Sequence, residues 1–371
     1  MCGWRSKSSA LSRRTRTPSG ESRSARGRTR GRSMSTPLNW GILGSGRIAR
    51  TFADAIEHSA RARLVAISSR TPDRPDIAAR FGGLPVLSYE ALIASPEIDA
   101  VYIAVNHAGH VGLAKAAARA GKHIVCEKPV GVSLADVEEM FAVIGESKVF
   151  FMEAFMYRFH PQIRRAVEIV EAGTIGDLRF IQAEYGFSRP FSSHRLYRPD
   201  EYGGGVLDAG GYPMSMARLF AGLARRAPFA NPESVQAMAA FHEVGVDILA
   251  LATLRFPGDV LAQISTGIAM KHGQVARLYG TGGNLVIRSP WFGGGIHGGR
   301  CELVLTRDGE EPQTIVIYDD VWLYEHEVNA LIDGVAAGRT EPEAPAMTWA
   351  DTLGNMAALE RWYRASRKTQ A

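Results

Sequence analysis

From Leu38 to Met152, short apolar runs alternate with amphipathic stretches. Strands are expected at Asn39–Leu43, Leu64–Ser68, Ala100–Val105, His123–Cys126 and Val149–Met152, with a weaker one near Val86. Helices are expected between them at Ile48–Glu57, Pro75–Arg80, Tyr89–Ala94, Val111–Ala120 and Leu134–Ile144. Ser133 is placed to cap the last of these, with Asp136 three residues on as an approximate capping box. Nearly continuous apolar strands separated by helices read as a parallel, doubly wound sheet covered on both faces.

After Phe159 the rhythm changes. His160-Pro161 opens a helix with Ile163, Val167 and Val170 on one face and Gly173 as its stop. Longer strand-like runs follow at Arg179–Phe187, Val235–His242, Val246–Phe256, Val260–Ile268, Leu285–Ile287, Glu302–Thr306 and Thr314–Tyr318. Pro257-Gly258-Asp259 joins two of them as a hairpin turn, Pro setting φ and Gly accepting a positive one. Runs joined by short turns imply an open, mainly antiparallel sheet. Helices near Tyr324–Ala337 and Thr348–Arg364 finish the chain. The expectation is an α/β chain: a doubly wound domain over residues 36–158 and an α+β domain over 159–371.

The composition agrees: 371 residues, 46% hydrophobic and 22% charged, suffice for two domains with real cores. No apolar run approaches the roughly 18 residues of a membrane span, so a soluble body without a membrane partner is expected. Cys2, Cys126 and Cys301 lie far apart without metal-ligand spacing. That argues against a disulfide framework or a zinc site and fits a reducing, cytoplasmic compartment. The net charge of +5 misleads, because residues 1–33 hold ten Lys/Arg and one acid, Glu21, and the remainder carries −4. Ser12-Arg13-Arg14 has no apolar segment behind it as a twin-arginine signal needs. A nucleic-acid-binding arm is open on charge grounds alone. A disordered basic extension suits the composition best, or a start-site artefact with Met34 as initiator. No nucleic acid is expected on the folded part.

The chemistry begins at Gly44-Ser45-Gly46-Arg47-Ile48-Ala49, a G-x-G-x-x-A turn directly after a strand and opening a helix. Its first Gly allows the tight turn. Its second lets backbone N–H groups approach a pyrophosphate, and Ala49 permits close helix–sheet packing. The second strand ends in Ser68-Ser69-Arg70, not in the acid that binds a ribose 2′-hydroxyl. A hydroxyl and a guanidinium suit a 2′-phosphate, so NADP is the expected cofactor and NAD the second choice; Arg70 merely solvated or stacked on adenine is the plainer alternative. Glu127-Lys128-Pro129 closes the His123–Cys126 strand and displays one lysine where a cofactor's reactive ring would lie. A cation there could orient a substrate hydroxyl and lower a nearby phenol from its ordinary value near 10. In Gly203–Pro213, Asp208 and Tyr212 stand four apart, on one face if that segment is helical, with Pro213 in a helix's first turn near Gly210. A tyrosine beside a lysine could serve as general acid/base.

These motifs resemble the glucose–fructose oxidoreductase (Gfo/Idh/MocA) family over roughly residues 38–366. The carriers are Gly44-x-Gly46, Ala120-Gly121-Lys122-His123 followed by Cys126-Glu127-Lys128-Pro129, and Asp208-x-Gly210-x-Tyr212. The segment Met152–Gln162 looks like the branch of dimeric dihydrodiol dehydrogenases and NADP-dependent D-xylose dehydrogenases. The resemblance implies a Rossmann domain, a substrate domain whose open sheet often mediates dimerisation, and Lys128 with Tyr212 as catalytic pair, Asp208 beside them. It points to Gly44, Ser45, Gly46, Arg47, Ile48, Ser69, Arg70, Val105, Asn106, His110, Glu127 and Lys128 as cofactor contacts. Where the family has Thr-Pro-Asn and then His, this chain reads Ala104-Val105-Asn106-His107-Ala108-Gly109-His110, so the contacts at 105–107 are open. His107 and His110 close a strand at the cofactor edge, where a purely structural role is less expected.

His194, Arg195 and Arg198 precede the Asp208 block in a polar loop and either line a substrate pocket or are simply solvated. The aromatic, glycine-rich stretch Trp291–Arg300 suggests no chemistry. Together the expectation is hydride transfer between NADP and a secondary or anomeric carbinol of a sugar, cyclic polyol or trans-dihydrodiol, without a metal, in a homodimer or higher homo-oligomer. A nucleotide-binding sensor or scaffold of the same fold is the alternative.

Overall fold

Residues 37–368 are described by the structure, a computed structural model. The readings of the basic segment 1–33 and of Met34 as initiator lie outside the described residues. Six strands form the first sheet: β1 (Leu38–Leu43), β2 (Ala62–Ser68), β3 (Val86–Leu87), β4 (Ala100–Ile103), β5 (His123–Glu127) and β6 (Phe151–Ala154). They run in parallel in the order β3-β2-β1-β4-β5-β6. β4 and β6 are buried along their whole length, as the uninterrupted apolar runs require. Helices α1 (Arg47–His58), α2 (Pro75–Arg80), α3 (Tyr89–Ala94), α4 (His107–Arg119) and α5 (Leu134–Ser147) connect them. In α1, Ala49, Phe52, Ala53 and Ile56 form the buried stripe, the i, i+3, i+4, i+7 spacing of a helix on a sheet. Ser133 accepts a hydrogen bond from the Asp136 amide at the start of α5, a cap contributing about 1 kcal/mol.

Beyond α6 (Pro161–Glu171) come β7 (Leu178–Gly186), α7 (Gly205–Asp208) and α8 (Gly211–Leu223). The strands β8 (Ser234–Phe241), β9 (Asp247–Phe256), β10 (Val260–Gly267), β11 (Val275–Gly280), β12 (Gly283–Arg288), β13 (Gly299–Arg307) and β14 (Gln313–Asp319) follow, then α9 (Glu325–Ala336) and α10 (Trp349–Lys368). The second sheet has the order β14-β13-β12-β11-β7-β10-β9-β8. It departs from expectation in two ways. β11 had not been anticipated, because Val275-Ala-Arg-Leu-Tyr-Gly offers the core only Ala276 and Leu278. β7 also pairs with β10 in parallel, since the long return through α7, α8, β8 and β9 is the crossover a parallel pair needs.

Alternation sets the faces of this sheet. Along β9, Ala250, Ala252, Leu254 and Phe256 are buried while Leu251, Thr253 and Arg255 are exposed. The inner face is covered by α6 and α8. α8 is buried from Gly211 to Gly222 because β7 and β10 lie on one side of it and α6 and α10 on others. No helix among the described residues is long and apolar enough to cross a membrane, and Cys126 and Cys301 are free and buried.

Candidate functional site

The site lies at the C-terminal edges of β1, β4 and β5, where the strand order of the first sheet reverses and ligands of doubly wound sheets bind. At the end of β1, Gly44 holds φ at 123°, and a Cβ there would stand 2.3 Å from the Ala104 carbonyl oxygen. Gly46 differs. It caps α1 without a side-chain hydrogen bond, and a Cβ on it would meet nothing within 4 Å. The N-terminus of α1 thus has clearance at its cap residue and amides that no side chain caps, the features a pyrophosphate site uses. Ser45 and Ile48 are half-buried and Arg47 is exposed beside them.

The end of β2 carries Ser69 and Arg70. Ser69 is buried, and its hydroxyl accepts the Thr71 amide, bracing the turn. Arg70 is exposed and has no ion-pair partner among the described residues, so its guanidinium is available to an anion. These residues fit a dinucleotide carrying a 2′-phosphate.

Lys128 stands at the β5 edge after Glu127, and its peptide to Pro129 is cis. Its ammonium donates to the Asp208 backbone carbonyl (2.8 Å) and lies 5.2 Å from the centre of the Tyr212 ring. Glu127 accepts from the Tyr102 hydroxyl and from the Lys128 amide (3.1 Å). Burial raises its carboxyl, with Lys128 opposing. Its oxygens thus already brace the turn that displays the lysine.

The helix that carries Tyr212 begins where Pro213 predicts, just after Gly210, so Asp208 lies outside it. Asp208 ends α7, the chain breaks at Ala209-Gly210, and Tyr212 enters the first turn of α8 beside Pro213. The break arises because Gly210 packs against Val206 and Trp362, leaving no room for a Cβ. Arg195 Nη2 donates to Asp208 Oδ1 (2.6 Å), and His107 Nε2 stands 3.6 Å from the same oxygen. Burial alone would raise this carboxyl, but Lys128, Arg195 and His107 override it and hold it at about 2. Asp208 Oδ2 accepts no hydrogen bond among the described residues.

The phenol behaves opposite to expectation. Tyr212 is buried, its hydroxyl hydrogen-bonds among the described residues to the Met156 sulfur alone (3.5 Å), and the Lys128 ammonium lies over its ring. Burial first, then the phenols of Tyr324 and Tyr185 and the carboxyls of Glu127 and Glu327, push it well above its ordinary value. The resting group is a neutral proton donor.

Other expected residues divide. Val105 is half-buried beside Gly44 and Gly109, and Asn106 donates to Glu201 (3.0 Å). The His110 ring is buried, with Nδ1 2.8 Å from the Pro129 carbonyl and Nε2 3.1 Å from the Val105 carbonyl. Burial keeps the ring neutral, so one nitrogen donates to a backbone carbonyl, and the ring sits between the β4–α4 turn and the lysine turn. Of the polar loop, only Arg195 joins Asp208. His194 caps a short helical turn by accepting the Leu196 amide. Arg198 is exposed and paired with Asp200 and Glu201, because acids two and three residues on are nearer than the site.

His107 is expected only at the cofactor edge, and Tyr185 has no expected role. His107 is buried with Nδ1 unpartnered; its place just after β4 was the available signal. Tyr185, next to last in β7, packs edge-on against Tyr212 with centroids 4.8 Å apart, and nothing in its spacing marked it. The glycine-rich stretch also gains a purpose. Trp291 is fully buried, donates to the Glu184 carbonyl (3.0 Å) and backs the Tyr157, Tyr185 and Tyr212 rings.

This geometry has known counterparts. Residues 38–155 match the oxidoreductase family model with an NAD-binding Rossmann fold, and residues 163–286 match the GFO/IDH/MocA C-terminal domain. The chain belongs to the GFO/IDH/MocA oxidoreductase family. It is 34% identical over 260 residues to the mouse trans-1,2-dihydrobenzene-1,2-diol dehydrogenase, covering 68% of this chain and 75% of that one. It is 32% identical over 308 residues to an NADP-dependent D-xylose 1-dehydrogenase of Haloferax volcanii, covering 82% and 90%. Among solved structures, a 3-ketoreductase from Actinomadura kijaniata in complex with TDP-benzene and NADP superimposes with a TM-score of 0.76 at 26% identity. That match covers 89% of this chain and 98% of the ketoreductase. The chain is thus a nicotinamide-dependent oxidoreductase.

Proposed function

We propose that this enzyme transfers hydride between NADP and a secondary or anomeric carbinol of a sugar, cyclic polyol or trans-dihydrodiol. The observation that carries the reading is the convergence of the Lys128 ammonium, the Tyr212 phenol and the Asp208 carboxylate beside the open N-terminus of α1. The NADP-dependent xylose dehydrogenase and the NADP-bound ketoreductase support the cofactor, as does Arg70. The ketoreductase has also been solved with a lysine-to-alanine and with a tyrosine-to-phenylalanine substitution. The lysine and tyrosine so replaced lie 84 positions apart in that chain, as Lys128 and Tyr212 do in this one.

When bound, the nicotinamide supplies or accepts the hydride. Gly44, Ser45, Gly46 and the first amides of α1 hold the pyrophosphate, and Ser69 and Arg70 the 2′-phosphate end. Tyr212 gives its proton to the substrate oxygen in reduction and receives it in oxidation. Lys128, anchored on the Asp208 carbonyl, turns its remaining N–H donors to that oxygen and stabilises the charge building there. Asp208 holds a substrate hydroxyl. Burial excludes water from the pair. Residues 36–158 serve the cofactor and residues 159–371 supply the substrate side.

A cytoplasmic homo-oligomer completes the reading. The outer face of the second sheet carries Met238 (62% exposed), Leu251, Leu261 and a stacked Phe180–Tyr279 pair. Apolar side chains on an open sheet face, interleaved with polar ones such as Thr253, Gln182 and Gln263, suit a second copy of the chain.

The test is a coupled assay with NADP and NAD across aldoses, inositols and trans-diols, run on wild type, Tyr212→Phe and Lys128→Met. Turnover is expected in the wild type and a loss of about 10²–10⁴-fold in each variant, with NADP still bound. Absence of nucleotide reduction across the panel would favour a nucleotide-bound sensor, and wild-type turnover in either variant would remove the pair.

A further inference from the structure

Tyr185 is a second phenol in the site, and the proton transfer does not use it. It lies at the C-terminal end of β7, in the next-to-last position. Its ring is fixed on four sides: edge-on to Tyr212 at 4.8 Å, and against Phe187, Trp291 and Phe292 at 6.3, 6.1 and 6.2 Å between centroids. So locked, the ring has little rotational freedom, and its hydroxyl is presented at one fixed place. That hydroxyl makes no hydrogen bond to any described residue, although the side chain is largely buried. A tyrosine buried this far ordinarily finds a partner for its oxygen.

The missing partner is suggested by its neighbours. Burial, with the Asp208 charge adding to it and Arg47 opposing, pushes this phenol up to about 12. It is therefore a neutral O–H donor within the field of Asp208. Asp208 spends Oδ1 on Arg195 and leaves Oδ2 as an acceptor without a donor among the described residues. An alcohol oxygen is donor and acceptor at once. It needs one group of each kind, and the Tyr185 hydroxyl and Asp208 Oδ2 are such a pair beside the Tyr212–Lys128 pair.

We propose that Tyr185 is a specificity-determining residue: its hydroxyl, with Asp208 Oδ2, binds the substrate hydroxyl next to the reacting carbon, making this a site for vicinal diols rather than isolated alcohols. This rests on the hydride-transfer reading above and adds the second hydroxyl to it. Sites built to hydrogen-bond a hydroxyl reject the analogue lacking it more strongly than apolar pockets reject an extra one, because their own polar groups are left unpaired.

The probes are trans-cyclohexane-1,2-diol and cyclohexanol, which differ by that one hydroxyl. Their dissociation constants are measured by calorimetry on the NADP-loaded enzyme, wild type and Tyr185→Phe, which keeps the ring and its packing. Wild type is expected to favour the diol by about tenfold or more, about 1.4 kcal/mol per decade, and Tyr185→Phe to reduce that preference to near unity. In turnover of the best polyol from the assay panel, Tyr185→Phe should raise KM and leave kcat within a few-fold, the reverse of Tyr212→Phe. An undiminished diol preference in Tyr185→Phe, or no preference in wild type, overturns the proposal while hydride transfer stands. A wild type that holds NADP yet oxidises no member of the panel overturns the reading beneath it as well.

Discussion

Tyr212 rests neutral because it is buried among other phenols and carboxyls, and that fixes the sense of the pH dependence. Reduction consumes a phenol proton that is in place through the neutral range, so its rate should stay level there. Oxidation needs the phenol to shed a proton first, so its rate should climb with pH well into the alkaline range. Initial rates in both directions between pH 6 and 10 test this, and an oxidation rate that falls as pH rises would refute it. Arg70 makes a separate prediction. Free of any acid and exposed, it should contribute about 1.5–3 kcal/mol through charge-assisted bonds to the 2′-phosphate. Arg70→Ala should then weaken NADP about tenfold to a hundredfold and leave NAD unchanged, as fluorescence titration would show. Equal losses for both nucleotides would place Arg70 on the adenine instead. Lys128, Asp208 and Tyr212 were legible as residues because each sits in a short motif with a mechanical reason. Tyr185 was not, since a tyrosine in an alternating strand looks like any other until its neighbours are known.

At the scale of elements, the glycine turn before α1 separates two demands that the sequence pattern merges. Gly44 is required by the fold, since a Cβ would strike the Ala104 carbonyl at a φ of 123°. At Gly46 the space over the backbone is empty, so the fold makes no such demand, and on the proposed reading the missing side chain leaves room for the pyrophosphate. Gly44→Ala should destabilise the protein by about 1–3 kcal/mol or more. Gly46→Ala should leave the melting temperature of the ligand-free protein unchanged and weaken NADP binding. A melting temperature lowered equally by both would contradict this division. On β9, burial raises Asp247 to about 7 against the opposing Val206 amide bond. A carboxyl whose folded value exceeds its unfolded value near 3.9 binds its proton more tightly in the native state. Its stabilisation is full below that lower value and lost as pH rises through 7. Asp247→Asn should therefore flatten the fall in melting temperature between about pH 4 and 7, and an unchanged slope would exclude the carboxyl as its source. Strand periodicity could be read for runs rich in β-branched residues. It could not be read for β11, nor for the parallel β7–β10 pair, because which strands become neighbours depends on where the crossover lands.

For the molecule as a whole, the two sheets do not divide the helices as the chain order suggests. α9 packs on α1, β5 and β6 of the nucleotide-binding half, while α10 packs on β8 and α8 as well as on α5 and so bridges the two halves. Periodicity shows that a helix has an apolar face but not what will cover it. The outer face of the second sheet is the converse case, a surface with exposed apolar side chains that no described helix covers. Met238 and Leu251 are directly opposed on β8 and β9, and Leu261 stands opposite Phe180, which stacks on Tyr279. Stable interfaces bury about 1,200–2,000 Å² in total, an area an eight-stranded sheet face can supply. A second copy is the natural cover, since one open sheet face is self-complementary about a two-fold axis. Met238→Lys with Leu251→Lys places two cations within that contact, where each would lose its hydration without a partner. These side chains point away from the core, so the fold should persist. Light scattering after gel filtration should find wild type as a dimer or larger, and the double variant shifted to monomer with its melting curve still cooperative. A monomeric wild type, or a double variant of unchanged mass, would remove this face as the site of assembly.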